Sequence, residues 1–189
     1  MNDNFWIELA TDLVFATTVV FLGIGIVYLL AGTWPFMVGI TSGSMMPNMY
    51  KGDLIFLQGI SRTTIKTYQV GAETGYTSFG GYGDVVVYRP NGDPEVIPII
   101  HRVMYWVDAG EPMPNGEPAP HAGFITKGDN NDGYDQPVLT DPVKPDWIVG
   151  VVRVRVPYLG YLGIRLIFSM TYPIQDLTIQ SGLGIRYAN

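Results

Sequence analysis

The chain has 189 residues, 47% of them hydrophobic and 15% charged, with a formal net charge of −6. That balance argues against disorder. With no cluster of Lys and Arg it also argues against a nucleic-acid partner, whose phosphates require one. Cysteine is absent, which excludes disulfides, thiolate zinc sites and cysteine nucleophiles, and the two histidines, His101 and His121, are too few for a histidine-rich metal site.

Leu13 to Gly32 (LVFATTVVFLGIGIVYLLAG) carries no charge and has the length a helix needs to cross a bilayer. Phe5 and Trp6 flank it on one side, Trp34 and Phe36 on the other, as aromatic interface anchors do. A cleaved signal peptide would have a basic flank and a shorter apolar core, whereas this flank holds Asp3, Glu8 and Asp12. The expectation is a permanent transmembrane helix over 13–32, preceded by a short segment, 1–12. Lys51, Arg62 and Lys66 lie on the C-terminal side, but long domains translocate largely regardless of charge, so charge leaves the orientation open.

Beyond the span the pattern is mostly β, giving one domain over 33–157. Asp53 to Leu57, Asp84 to Tyr88, Glu95 to Val107 and Trp147 to Val156 are rich in β-branched and aromatic residues. Pro90-Asn91-Gly92-Asp93 is a turn signal that makes a hairpin of the second and third runs. Arg153 and Arg155 alternate with valines, which suits a strand with one wet face. Residues 59–83 are polar and read as an inserted excursion, and 108–122 as a Pro- and Gly-rich loop. Tyr158 to Met170 is apolar but interrupted by Arg165, so a membrane-proximal segment over 158–189 is expected rather than a second span.

The polar candidates are few. Ser42-Gly43-Ser44-Met45-Met46-Pro47 sits just past the span, in a stretch uncharged from Leu13 through Tyr50. An isolated Ser after Gly is ordinarily a turn residue. It becomes a nucleophile only with a base and with donors for an oxyanion, which the Ser42 hydroxyl and the Ser44 N–H could supply. His101, on the third strand, has the right chemistry for a general base, although a histidine on an apolar strand is more often a packed core residue. His121 reads as solvated. Lys127-Gly128-Asp129-Asn130-Asn131-Asp132-Gly133-Tyr134-Asp135 is either an Asx-rich turn or the source of an aspartate that orients His101. It lacks the terminal Glu of an EF-hand calcium loop.

Together these segments resemble the type I signal peptidases of the archaeal and endoplasmic-reticulum branch. Ser42 to Pro47 is similar to the family's nucleophile box, Gly83-Asp84-Val85-Val86-Val87-Tyr88 to its Gly-Asp-strand box, and Lys127 through Asp135 to its Gly-Asp-Asn box. His101-Arg102-Val103 stands where bacterial members carry a lysine base. The resemblance implies a β catalytic core on a membrane anchor, with the N-terminus inside and the domain on the outer face. It also implies Ser44 as nucleophile, His101 as base and Asp135 as the acidic partner, with Ser42 at the oxyanion, Asp129 supporting and Asp132 a reserve third member. No metal or cofactor is implied.

The function that follows is membrane-bound endoproteolysis that removes signal peptides after small residues. Implied partners are signal-peptide-bearing preproteins and the lipid bilayer, with the export translocon or accessory subunits as further candidates. The implied location is an archaeal-type cell membrane, with the endoplasmic-reticulum membrane as the alternative. Two rivals stay open: a related peptidase with a narrow client such as a pilin or surface precursor, and a non-catalytic membrane-anchored β module.

Overall fold

Residues 3–160 are described in a computed structural model. The first element, α1 (Asp3–Ala31), begins well before the predicted span, because neither Gly nor Pro interrupts residues 3–12. At 1.5 Å per residue it is roughly 43 Å long, against ~30 Å of hydrocarbon, so its acidic first turns can stand clear of the lipid interior. Leu13, Phe15, Phe21 and Leu30 point to different sides of the helix and all are exposed. An apolar surface all the way round suits lipid, and α1 is long and apolar enough to span a membrane. Gly32, at φ +68°, ends the helix in the left-handed conformation. The Gly59 N–H donates to the Ala31 carbonyl at 2.8 Å and Arg62 Nη2 to that of Leu29 at 3.0 Å, so the β domain caps the helix end.

Eight strands follow among the described residues. They are β1 (Met37–Gly39), β2 (Leu54–Gln58), β3 (Thr77–Ser78), β4 (Gly81–Tyr82), β5 (Val85–Tyr88), β6 (Ile99–Val107), β7 (Gly123–Lys127) and β8 (Ile148–Val156). Six of them form one antiparallel sheet in the order β1-β2-β8-β5-β6-β7, and β3 with β4 makes a separate small hairpin. The predicted β5–β6 hairpin is present, with Val85 opposite Arg102 and Tyr88 opposite Ile99. Its turn places Asn91 at φ +52° and Gly92 at φ +74°. The third strand starts at Ile99 rather than Glu95, since Pro98 has no N–H to give a ladder.

The sheet buries both faces. Ile55, Leu57, Val85 and Val87 pack with Met45 and Met49 on one side. Val86, Tyr88, Val103 and Val151 pack with Val143 and Ile148 on the other. The 108–122 loop also contributes core, since Met113 and Ala119 pack on Val107 and Ile125.

Two expectations change. Residues 59–83 contain a short helix, α2 (Tyr68–Thr74), and the β3–β4 hairpin. The wet face expected at Arg153 and Arg155 is instead half-buried, because these arginines cover the buried carboxylates of Asp84 and Asp53 at 2.9 Å and 3.5 Å. Buried charges require such partners. The expected segment from Tyr158 lies, beyond Gly160, outside the described residues.

Candidate active site

His101 sits on β6 opposite Val86 of β5, and Thr126 of β7 sits opposite Val103. Paired residues share a face and alternate residues return to it, so Tyr88, His101, Val103 and Thr126 all project from one side of the sheet. After β7 the chain turns back, fixed by the Asp135 N–H donating to the Thr126 carbonyl at 3.0 Å. This brings the Asp135 carboxylate onto His101, with Nδ1 2.6 Å from Oδ2. Both groups are buried, with His101 4% and Asp135 1% exposed. Burial pushes the Asp135 carboxyl up, but the hydrogen bond and charge of His101, with hydroxyl bonds from Thr126 and Tyr88, outweigh it and hold the group below the usual carboxylate range. An ionised Asp135 accepts a hydrogen bond from Nδ1–H, which favours the tautomer whose lone pair is on Nε2.

Nε2 faces the serine loop. A Cβ on Gly128 would stand 2.8 Å from His101 Nε2 and 2.8 Å from the Ser44 carbonyl oxygen, so ring and serine backbone meet at this one glycine. The Gly-Asp-Asn segment also clasps the serine box directly. The Asn130 N–H donates to the Ser44 carbonyl at 2.8 Å and Asn130 Nδ2 to that of Gly43 at 3.3 Å. From the other end, Met45 and Met49 anchor the box in the core. The Ser44 hydroxyl is partly exposed and pairs with Ser42 Oγ at 3.3 Å. Among the described residues it makes no hydrogen bond to His101, a contact that commonly tightens only when substrate binds. No group among the described residues occupies the Ser44 N–H.

The remaining acidic candidates have other positions. Asp129 accepts from Arg102 Nε and Nη2, both at 2.7 Å, and from Asn48 Nδ2 at 2.8 Å. It thus ties the serine box to β6 without touching His101. Arg102, only 3% exposed, also donates to the carbonyls of Ser78, Phe79, Tyr82 and Gly83. Asp132 is exposed, with no bond to His101. Expected as solvated, His121 is half-buried, its ring edge-on to Trp147 at 5.3 Å, because the loop folds back over that indole. Sequence reasoning missed Arg102, Tyr88, Thr126, Gly128 and Asn130. Strand parity within the β5–β6 hairpin could have placed Tyr88 beside His101.

A buried His–Asp pair beside the backbone of a serine loop, on a β domain that follows a helix long and apolar enough to cross a membrane, defines the class: a β domain carrying the parts of a serine-hydrolase site. No protein-family model matches the chain. It is similar to the signal peptidase complex catalytic subunit SEC11 of Schizophyllum commune, 37% identical over 146 residues, covering 69% of this chain and 64% of that one. The corresponding sec11 of Schizosaccharomyces pombe is 36% identical over 155 residues, covering 79% and 75%. SEC11 of Saccharomyces cerevisiae is 34% identical over 132 residues, covering 68% and 64%. The chain therefore spans 64% to 75% of the length of these relatives. It belongs to the SEC11 family of signal peptidase catalytic subunits, the archaeal and endoplasmic-reticulum branch of type I signal peptidases.

Proposed function

We propose that this protein is a membrane-anchored serine endopeptidase that removes signal peptides from exported preproteins, cleaving after small residues. The observation that carries the reading is the buried His101–Asp135 bond at 2.6 Å, with the ring's other nitrogen turned toward the Ser44 loop at Gly128. Family membership supports the reaction class and leaves the client set to experiment.

In the proposed reaction His101 Nε2 takes the Ser44 proton as Oγ attacks the scissile carbonyl. The ring, now an imidazolium, is steadied by Asp135 and returns the proton to the leaving amine. The Ser44 N–H and the Ser42 hydroxyl hold the oxyanion. Water, activated by the same ring, then releases the acyl group from Ser44. Asp129 acts indirectly, by fixing the serine box against β6 through Asn48 and Arg102. Specificity for Ala-like residues requires a shallow pocket that larger side chains cannot enter.

The proposed arrangement puts domain 33–157 on the extracytoplasmic face of an archaeal-type cell membrane, or on the lumenal face in the endoplasmic-reticulum alternative. Substrates reach it from the bilayer. The relatives' names support further subunits as partners, since each is called part of a signal peptidase complex.

The test is cleavage of a preprotein with an Ala-x-Ala site by the full chain in liposomes. Ser44→Ala and His101→Ala are expected to lower the rate roughly 10³- to 10⁶-fold. Undiminished cleavage by Ser44→Ala would end the serine mechanism.

A further inference from the structure

Three donors converge on a single oxygen of Asp135. His101 Nδ1 reaches Oδ2 at 2.6 Å, Thr126 Oγ1 at 2.6 Å and the Tyr88 hydroxyl at 2.9 Å. The second oxygen, Oδ1, is buried and has no hydrogen-bond partner among the described residues. The carboxylate's charge is thus met on one side only, where the histidine ring competes with two hydroxyls.

The proton inventory is fixed by the neighbours. Gln136 Nε2 donates to Thr126 Oγ1 at 3.1 Å, and Gln136 Oε1 accepts from the Thr126 N–H at 2.9 Å. Thr126 Oγ1 is therefore already an acceptor, and its one proton goes to the nearer of its two acceptors, Oδ2 at 2.6 Å rather than the Tyr88 hydroxyl at 3.3 Å. Tyr88 has Asp135 as its acceptor, and burial with the adjacent negative charge pushes its own hydroxyl further from ionising. Both hydroxyls therefore stay neutral donors across the working range of the enzyme. Packing does not need the Tyr88 hydroxyl, since phenylalanine would fill the same core space among Val86, Val103 and Val151. A buried hydroxyl without a task would be a cost.

We propose that Tyr88 and Thr126 are positioning residues that hold the Asp135 carboxylate and moderate its pull on the His101 proton. The inference rests on the peptidase reading and deepens it. By drawing charge out of Oδ2, the two hydroxyls weaken the carboxylate as an acceptor for the ring N–H. The imidazolium formed during acylation is then less stabilised and releases its proton to the leaving amine more readily. The titratable groups facing Asp135 are Tyr88 from β5 and His101 from β6, while β7 and the following turn offer only neutral Thr126 and Gln136. The ring's other side meets the Gly128 and Ser44 backbone. Arg102 is committed to Asp129, and Lys127 lies 5.7 Å over the Tyr134 ring.

The experiment takes the full chain, active in liposomes for kinetics and in detergent micelles for proton NMR. Tyr88→Phe and Thr126→Val are expected to move the acid limb of kcat/KM up by roughly half a pH unit, because the unshared carboxylate holds the ring proton more strongly. KM should stay unchanged, the His101 Nδ1 proton resonance should move further downfield, and Thr126→Ser should restore both readouts. Profiles and resonances of Tyr88→Phe and Thr126→Val that coincide with the parent's would overturn the proposal. Asp135→Asn separates the two levels. If it abolishes activity and the downfield resonance while the hydroxyl variants change nothing, only this inference fails. If it leaves both intact, Asp135 does not orient the ring, and this inference fails while the peptidase reading stands. Absence of cleavage by the parent chain is the outcome that ends the peptidase reading itself.

Discussion

Gly128 is the point where the base, the nucleophile loop and the Gly-Asp-Asn segment come together, and it carries no left-handed backbone that would demand glycine. Space alone explains it, since an added methyl would also stand 2.7 Å from Asn131 Nδ2. Gly128→Ala is therefore expected to fold yet separate His101 from Ser44, with kcat falling by about 10²-fold, the cost of an ångström-scale misplacement. Single-turnover cleavage, with near-UV circular dichroism to verify packing, checks this; parental kcat would show that ring and serine do not meet there. Asp135 allows a second prediction. Its folded-state pKa is lowered, so its stabilising contribution is complete above the ordinary carboxylate range and is lost as pH falls through the lower folded value. Asp135→Asn lacks that titration. Its melting temperature should decline less steeply than the parent's between about pH 6 and about pH 2, and equal slopes would contradict the assignment.

At the scale of elements, the strands declared themselves where β-branched residues run long. β5, β6 and β8 read directly from Val-Val-Val-Tyr, Ile-Ile-His-Arg-Val and Val-Val-Arg-Val-Arg-Val. β1 and α2 did not, being too short for a period to register. Residues 59–83 looked like an excursion because their order comes from far away: Arg102 gathers the 78–83 carbonyls, and Asp84 accepts from the Lys66 N–H and the Tyr76 hydroxyl. Charge on β8 misled in the same way, since its arginines face carboxylates that the sequence keeps dozens of residues distant. Arg102→Met tests this view. It leaves the part-buried Asp129 without its cation, at a cost of about 2–3 kcal/mol, below the figure for a fully buried pair, and hydrogen exchange should accelerate across 78–83 before the central strands. Exchange confined to β6 would mean the hairpin stands without the arginine. Gly59 plays a comparable part at the helix junction, where a Cβ would overlap the Gly32 carbonyl. Gly59→Ala should cost about 1–3 kcal/mol by overpacking, measured by thermal unfolding of the full chain, and an unchanged midpoint would mean that the junction adjusts freely.

For the molecule as a whole, Ser44, His101 and Asp135 stood out by order and setting, matched box by box to a known pattern. Nothing in their spacing puts them together; the β5–β6–β7 register and the turn at Gly128 do that. Thr126 was invisible for the same reason, since a hydroxyl on an apolar strand gives no sign of what it faces, and Tyr88 was within reach only of a parity argument on the β5–β6 hairpin. Orientation in the membrane is also a whole-molecule property, and local charge fails to set it because Lys51, Arg62 and Lys66 belong to a domain large enough to be carried across. The proposed peptidase reaction does set it, for a substrate emerging from the bilayer must meet Ser44 on the outer face. The chain offers a direct test, having no cysteine of its own. With the protein in the cell membrane, as proposed, a single cysteine at Asn115, an exposed position of the 108–122 loop, is expected to react with a membrane-impermeant maleimide on intact cells. One at Asn4, on the exposed first turn of α1, should react only after permeabilisation. The acidic first turns, Asp3, Glu8 and Asp12, would then lie on the side from which signal peptides present their basic ends. Labelling in the reverse order would place the serine loop on the cytoplasmic side, away from the translocated end of an exported preprotein, and would overturn the proposed orientation.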